Sequence, residues 1–260
     1  MARPPVLIES WLPIEAVGAE GKRERGASSA LPPLYFLHVW WARRPLIASR
    51  AAILASVLPK WSNDFPGNLH ERFPDETSYL NWFVQFIGIL GDPVAARKRI
   101  DWEKMTGIRT TDEKYGYQRA FLSSPSSENL SIMHSLLDFA WDTSEINVLD
   151  TFAGGGSIPF EALRYKFTTY ANDLNPFASI ILKATLDYPA RFGSSLANDI
   201  QKWGNRWYQM IKPRLAQFFE IPAGEPKRTI YMWARTVTCP TTGKIVPLTP
   251  NWWLSKDPKV

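Results

Sequence analysis

Asp150-Thr151-Phe152-Ala153-Gly154-Gly155-Gly156-Ser157 is the stretch on which the fold turns. Before it, Ile146-Asn147-Val148-Leu149-Asp150 is a short apolar strand. After it, residues 158–165 have the pattern of a helix, 168–172 of a second strand and 176–186 of a second helix. Strand, glycine turn, helix and strand make a βαβ unit, which predicts a parallel sheet. Glycines directly after a buried strand let the backbone turn tightly and approach a ligand closely. The following helix points its free N–H groups, with their partial positive charge, at that ligand. Asp173, at the end of the second strand, is placed to accept both hydroxyls of a ribose.

Three readings of this segment compete. A glycine-rich turn need hold no ligand, but the matching acid at 173 argues against that. A dinucleotide fold expects G-x-G-x-x-G, whereas Pro159 occupies the third glycine position and Asp150 sets a negative charge beside a diphosphate. S-adenosylmethionine has a ribose for Asp173 and a sulfonium and ammonium that favour the acid at 150. The residues favour this third reading.

Outward from the turn, the preceding 140 residues predict mostly helix. Leu46, Ile47, Ile53, Leu54, Val57 and Leu58 fall at helical spacing, with Pro45 in the first turn and Pro59 as the stop. Residues 78–90 place Tyr79, Trp82, Phe83, Phe86, Ile87 and Leu90 on one broad apolar face. More polar helices are expected over 93–106 and 112–122, and another is capped by Ser126 or Ser127 and ends near Trp141. The charged run Gly21-Lys22-Arg23-Glu24-Arg25-Gly26 reads as an exposed loop, either simply solvated or touching a phosphate. On the other side, 194–219 predicts a long amphipathic helix, and 229–239 and 245–253 predict strands joined by the turn Pro240-Thr241-Thr242-Gly243-Lys244.

Composition bounds the function. Hydrophobic residues at 45% and charged residues at 21% suit a globular chain able to bury a core. No run of 18 apolar residues occurs, so no membrane partner is expected, and the N-terminus does not read as a signal peptide. The single cysteine, Cys239, allows no internal disulfide, and cytoplasm is the default location. A net charge of +5 permits a polyanionic partner or an ordinary basic surface. Twelve tryptophans supply core and, beside arginine, surfaces suited to stacking on nucleobases.

At this point the residues resemble a family. D-x-F-A-G-x-G-S is similar to the signature loop of amino-group methyltransferases acting on DNA, with Phe152 in the aromatic position that packs on the cofactor. Asp173-Leu174-Asn175-Pro176-Phe177-Ala178 is similar to the second conserved segment of those enzymes. Four segments in order resemble the N-terminal part of the large adenine-specific DNA methylases that carry an inserted zinc ribbon and open with a domain of unknown function. They are Leu7-Ile8-Glu9-Ser10-Trp11-Leu12-Pro13, His38-Val39-Trp40-Trp41-Ala42-Arg43-Arg44-Pro45-Leu46, Phe152-Ala153-Gly154-Gly155-Gly156-Ser157-Ile158-Pro159 and Trp233-Ala234-Arg235-Thr236-Val237-Thr238-Cys239-Pro240. The resemblance implies methyl transfer from S-adenosylmethionine to the exocyclic amino group of adenine in DNA, in a setting of restriction-modification or phage defence. It also implies that Arg43, Arg44 and Pro45 close the methionine end of the pocket, an arginine meeting the cofactor carboxylate. A core tryptophan pair with surface arginines is the other reading of that segment.

The catalytic loop of the class, (D/N/S)-P-P-(Y/F/W), is not found. Leu31-Pro32-Pro33-Leu34 lacks the polar residue and the aromatic, and Asn175-Pro176-Phe177 is one proline short and follows the wrong strand. No catalytic residue is therefore assigned, and by the resemblance the chain stops short of a loop that lies downstream. Its alternatives are a non-enzymatic remnant, a subunit completed by a second polypeptide bearing that loop, or a fragment of an RNA methyltransferase. No metal site is assigned either, because Cys239 stands alone where the ribbon pairs cysteines and Thr242 holds the partner position. His38 reads as structural, and Asp187 and Asp199 as acids with reach to the adenine.

The expected fold is thus α/β: an incomplete Rossmann-like, S-adenosylmethionine-dependent methyltransferase sheet over 141–192, a helical region over 1–140, and a helix plus metal-free hairpin over 193–260. The expected cofactor-binding residues are Asp150, Phe152, Ala153, Gly154, Gly156, Ser157, Asp173, Leu174, Asn175, Arg44 and Pro45. Cofactor binding by these 260 residues alone is expected to be weak or absent, without turnover.

Overall fold

A computed structural model describes residues 5–26, 31–110, 115–219 and 233–249. In chain order its elements are helices α1 (Ile14–Arg25), α2 (Leu46–Val57), α3 (Gly67–Arg72), α4 (Glu76–Phe86), α5 (Pro93–Thr106) and α6 (Ser127–Trp141). There follow strand β1 (Asn147–Asp150), α7 (Ser157–Arg164), β2 (Thr168–Ala171), α8 (Pro176–Leu182), α9 (Tyr188–Phe192), α10 (Ser195–Ala216), β3 (Arg235–Thr238) and β4 (Ile245–Leu248). The described residues form a mixed α/β structure, mostly helical with a few short strands.

Local sequence fixes most helix ends. The Asp75 carboxylate accepts the Ser78 N–H at 2.7 Å to open α4, and Asp92 accepts those of Val94 and Ala95, both at 2.9 Å, to open α5. Ser126 accepts the Asn129 N–H at 3.1 Å to open α6, as the sequence predicts. Pro45 stands immediately before α2, one position earlier than expected, and the helix ends ahead of Pro59. Leu46, Ile47, Leu54 and Leu58 are fully buried, and Tyr79, Trp82, Phe83, Phe86 and Ile87 are buried with them. Leu90 departs from the expected apolar face and is 53% exposed.

Two expectations are overturned. Residues 21–25 are helical, because Glu20 and Glu24 turn inward to partners far away in the chain. Glu20 accepts the Ala120 N–H at 2.9 Å and the Tyr117 hydroxyl at 3.1 Å, and Glu24 accepts the Leu46 N–H at 3.0 Å. Of the helix expected over 112–122, residues 112–114 lie outside the described residues and no α-helix occupies 115–122. Gly116 takes a positive φ of 75°, outside helical geometry, and only a short 3₁₀ turn forms at Ala120–Leu122.

The predicted βαβ unit forms. β1 pairs parallel with β2, with Asn147 opposite Thr168 and Asp150 opposite Ala171. α7 covers one face of the pair. On the other face Leu149 and Tyr170, partners across the strands, are 65% and 57% exposed. The second helix is shorter than expected, passing after Leu182 through a π-helical turn at Lys183–Asp187 into α9. The larger of two apolar clusters gathers Leu54, Phe83 and Leu136 from the N-terminal helices with Ala162, Tyr165 and Phe167 from the βαβ segment, and the smaller joins Tyr35 and Leu46 to Ala153 and Leu182.

The chain divides into two units, Met1–Leu196 and Ala197–Val260. In the second, α10 leaves Ile200, Trp203, Trp207 and Met210 exposed. β3 and β4 form the expected antiparallel hairpin, pairing Arg235 with Leu248 and Thr238 with Ile245. Hydrogen bonds from Thr242 hold the Cys239 thiol pKa below its ordinary value. Both strands are shorter than expected, and 229–232 and 250–253, with Trp252 and Trp253, lie outside the described residues. No described helix is long and apolar enough to cross a membrane.

Candidate functional site

β1 delivers Asp150 to the start of the glycine turn, where its carboxylate accepts the Phe152 N–H at 3.1 Å. β2 runs alongside and locks the turn to itself. The Asn172 N–H donates to the Asp150 carbonyl at 2.8 Å, and the Ala153 N–H to the Asn172 carbonyl at 2.9 Å. Asp173 completes the clasp by accepting the Gly154 N–H on Oδ2 and the Asn175 N–H on Oδ1, both at 2.8 Å. Each carboxylate oxygen retains a lone pair for a further donor. The two strand-end acids are thus both turned into the same glycine turn.

Gly154 and Gly156 take φ values of 52° and 84°, left-handed conformations that side chains rarely adopt. Gly155 is required for space: a Cβ there would lie 2.7 Å from Trp40 Cβ, and one on Gly154 would lie 2.6 Å from Trp40 Nε1. Trp40 therefore rests directly on the turn. Behind it, the His38 ring stands edge-on to Trp40, Trp41 and Phe177 of α8, with centroids 6.0, 5.4 and 5.1 Å away. Trp41 is 74% exposed, so the tryptophan pair is not a core pair.

The stretch after Trp40 is tied down from two sides. The Tyr35 hydroxyl donates to the Arg44 carbonyl at 2.9 Å and lies 3.3 Å from Ser157 Oγ on the first residue of α7. Burial pushes the Tyr35 pKa above its ordinary value. Glu24 receives the Leu46 N–H at the start of α2. Burial pushes its carboxyl pKa up to about 7, while the N–H groups of Leu46 and Ile47 pull the other way.

Between the turn and this stretch lies a cavity of about 220 Å³. Of the sequence-predicted residues, Asp150, Phe152, Ala153, Gly154, Ser157 and Arg44 line it, together with Trp40, Ala42 and Arg43. Asp173 lines a different cavity, of about 350 Å³, which Asp187 also lines. Gly156 lines neither; it caps α7 and packs towards Leu182 and Leu186. Pro45 faces a third groove, Leu174 is 93% exposed, and Asn175 caps α8 by accepting the Phe177 N–H at 2.9 Å. Asp199 belongs to the second unit.

The model of a family described as a protein of unknown function (DUF1156) matches residues 11–84. No curated protein and no solved structure matches the chain. The matched residues take in α1, α2, α3 and most of α4, and with them Tyr35 and the wall from Trp40 to Arg44. The glycine turn and both acids lie beyond them.

Sequence reasoning missed Trp40, Tyr35 and Glu24 as parts of this site. Gly155 carried the one available signal. A glycine set between two others, at a position whose φ does not demand one, implies a bulky neighbour pressed against the backbone.

Proposed function

We propose that these residues bind S-adenosylmethionine in a Rossmann-like half-sheet, as the front portion of an amino-methyltransferase related to the adenine-specific DNA methylases. One observation carries the reading: the acids that end two parallel strands both grip one glycine turn, and that turn walls a cavity containing Asp150 and Arg44. The residues fit such a ligand. At about 220 Å³ the cavity is below the roughly 300 Å³ at which small-molecule sites begin, so it takes the amino-acid end and not the whole molecule. Asp150 would face the ammonium and sulfonium, Arg44 the carboxylate, and the unused lone pairs of Asp173 the ribose hydroxyls. Phe152, which is 84% exposed, offers an apolar face at the rim.

When bound, S-adenosylmethionine supplies an electrophilic methyl group. The chain's own residues bind and orient it. The side-chain oxygen and backbone carbonyl that accept the amino hydrogens of adenine, and the aromatic that stacks on a flipped base, would come from a (D/N/S)-P-P-(Y/F/W) loop that these 260 residues lack.

Saturation-transfer NMR on the chain tests the cofactor half, with NAD as the comparator. Saturation of the adenosine protons of S-adenosylmethionine, lost in Asp173→Ala, is the expected result. Equal saturation with NAD, or saturation that survives Asp173→Ala, removes the reading.

A second reading has its own observation. The bare Leu149–Tyr170 face and the outer edges of β1 and β2, which pair with no further strand among the described residues, favour a subunit completed by another polypeptide that supplies further strands. Co-expression with a chain bearing the catalytic loop, followed by size-exclusion chromatography, separates this from a single polypeptide.

A further inference from the structure

A groove of about 550 Å³ runs between the C-terminal half of α1 and residues 43–48. Among the described residues its cations are Lys22 and Arg25 on the α1 side and Arg43 on the opposite wall, and no carboxylate lines it. The sequence hides this asymmetry, because α1 alternates acids and bases. Folding sorts them. Glu20 and Glu24 turn into the protein, 2% and 4% exposed, whereas Lys22 and Arg25 stay in water. Glu15, two turns earlier on the same helical face, lies outside the groove. No ion pair among the described residues uses Lys22, Arg25 or Arg43.

The groove is also built for close approach. Gly21 lets α1 lie against the wall, since a Cβ there would sit 3.3 Å from Pro45 Cβ. Gly18 has open space where its side chain would be, which leaves bare helix as floor. Lys22 and Arg25 also offset the negative carbonyl end of α1, a role that Arg43 does not share. Arg43 lines both this groove and the 220 Å³ cavity, so the groove leads to the glycine turn.

We infer that this groove holds the phosphodiester backbone of DNA and delivers the duplex to the candidate site. The inference rests on the methyltransferase reading for its choice of DNA. Phosphates recruit unpaired Lys and Arg, and each one neutralised adds nearly one unit to the dependence of log affinity on log salt.

The test is fluorescence anisotropy of a labelled DNA duplex with the full chain across a salt series. In Lys22→Ala/Arg25→Ala the salt slope should fall by about 2 and the low-salt affinity by about tenfold or more. Gly18→Glu, which places an acid on the floor, should weaken binding similarly, whereas Gly18→Ala should not. Unchanged slope and affinity in the double variant overturn the inference, and preference for an RNA duplex of the same sequence overturns the choice of DNA. The two readings fail separately. Adenosine saturation lost in Asp173→Ala together with an unaltered DNA slope sinks only the groove, and an altered slope together with adenosine saturation that survives Asp173→Ala sinks only the cofactor.

Discussion

Arg50 and Glu161 meet inside the core with Nε 2.7 Å from Oε2, the two side chains 1% and 0% exposed. The pair joins α2 to α7, the helix that follows the glycine turn. Arg50 Nη2 donates to the other carboxylate oxygen of Glu161 at 3.3 Å, and Nη1 to the carbonyls of Ile87 at 2.7 Å and Ala120 at 3.0 Å. One side chain thus fixes four separate segments around the base of the site. Removing one partner strands the other charge in the core, so Glu161→Ala should cost about 3–5 kcal/mol in urea unfolding. A loss under about 1 kcal/mol would mean that water reaches Arg50.

Glu24 sets a pH dependence of unusual sign for a carboxylate. Its folded pKa, about 7, lies above the 4.5 of the free group, so the folded chain keeps a proton that the unfolded chain has released. Its contribution to stability is therefore greatest below pH 4.5, declines as pH rises to about 7, and is flat above that. The decline is on the order of 3 kcal/mol. Urea unfolding from pH 4.5 to 8 should show Glu24→Gln lacking this decline; parallel curves for the two proteins exclude it.

Gly155 and Trp40 should be coupled. Gly155→Ala presses a methyl into Trp40 and is expected to cost about 1–3 kcal/mol. Adding Trp40→Ala removes the obstacle, so the double variant should be more stable than the sum of the single effects allows. Simple additivity in thermal unfolding would place the tryptophan elsewhere.

Asp173 holds the turn through the Gly154 N–H. Asp173→Ala should speed hydrogen exchange at the Gly154 amide and cost about 1.5–3 kcal/mol, the range for a hydrogen bond to a charged group. Exchange unchanged at that amide would show the turn to be self-supporting.

Much of this was legible in the sequence, and the exceptions share a cause. The βαβ order and the strand-end positions of Asp150 and Asp173 follow from local pattern, because strand, turn and helix propensities agree there. The cap at Ser126 is equally local, its partner Asn129 lying three residues on. α1 was hidden because its acids find partners at Leu46, Tyr117 and Ala120, and no window of sequence contains both ends of such a bond. Trp40 was hidden for the same reason, since its neighbour is a backbone more than 100 residues away. Residues 115–122 misled through composition: their polarity fits a helix, but Gly116 bends the chain away from it.

The Tyr35 hydroxyl, anchored at once to Arg44 and Ser157, has a bearing on access. It stitches the wall above the cavity to the helix below, so that side does not swing like a hinged cover. For the ligand proposed above, entry would then fall to the rim that Phe152 forms, where its ring is 84% exposed.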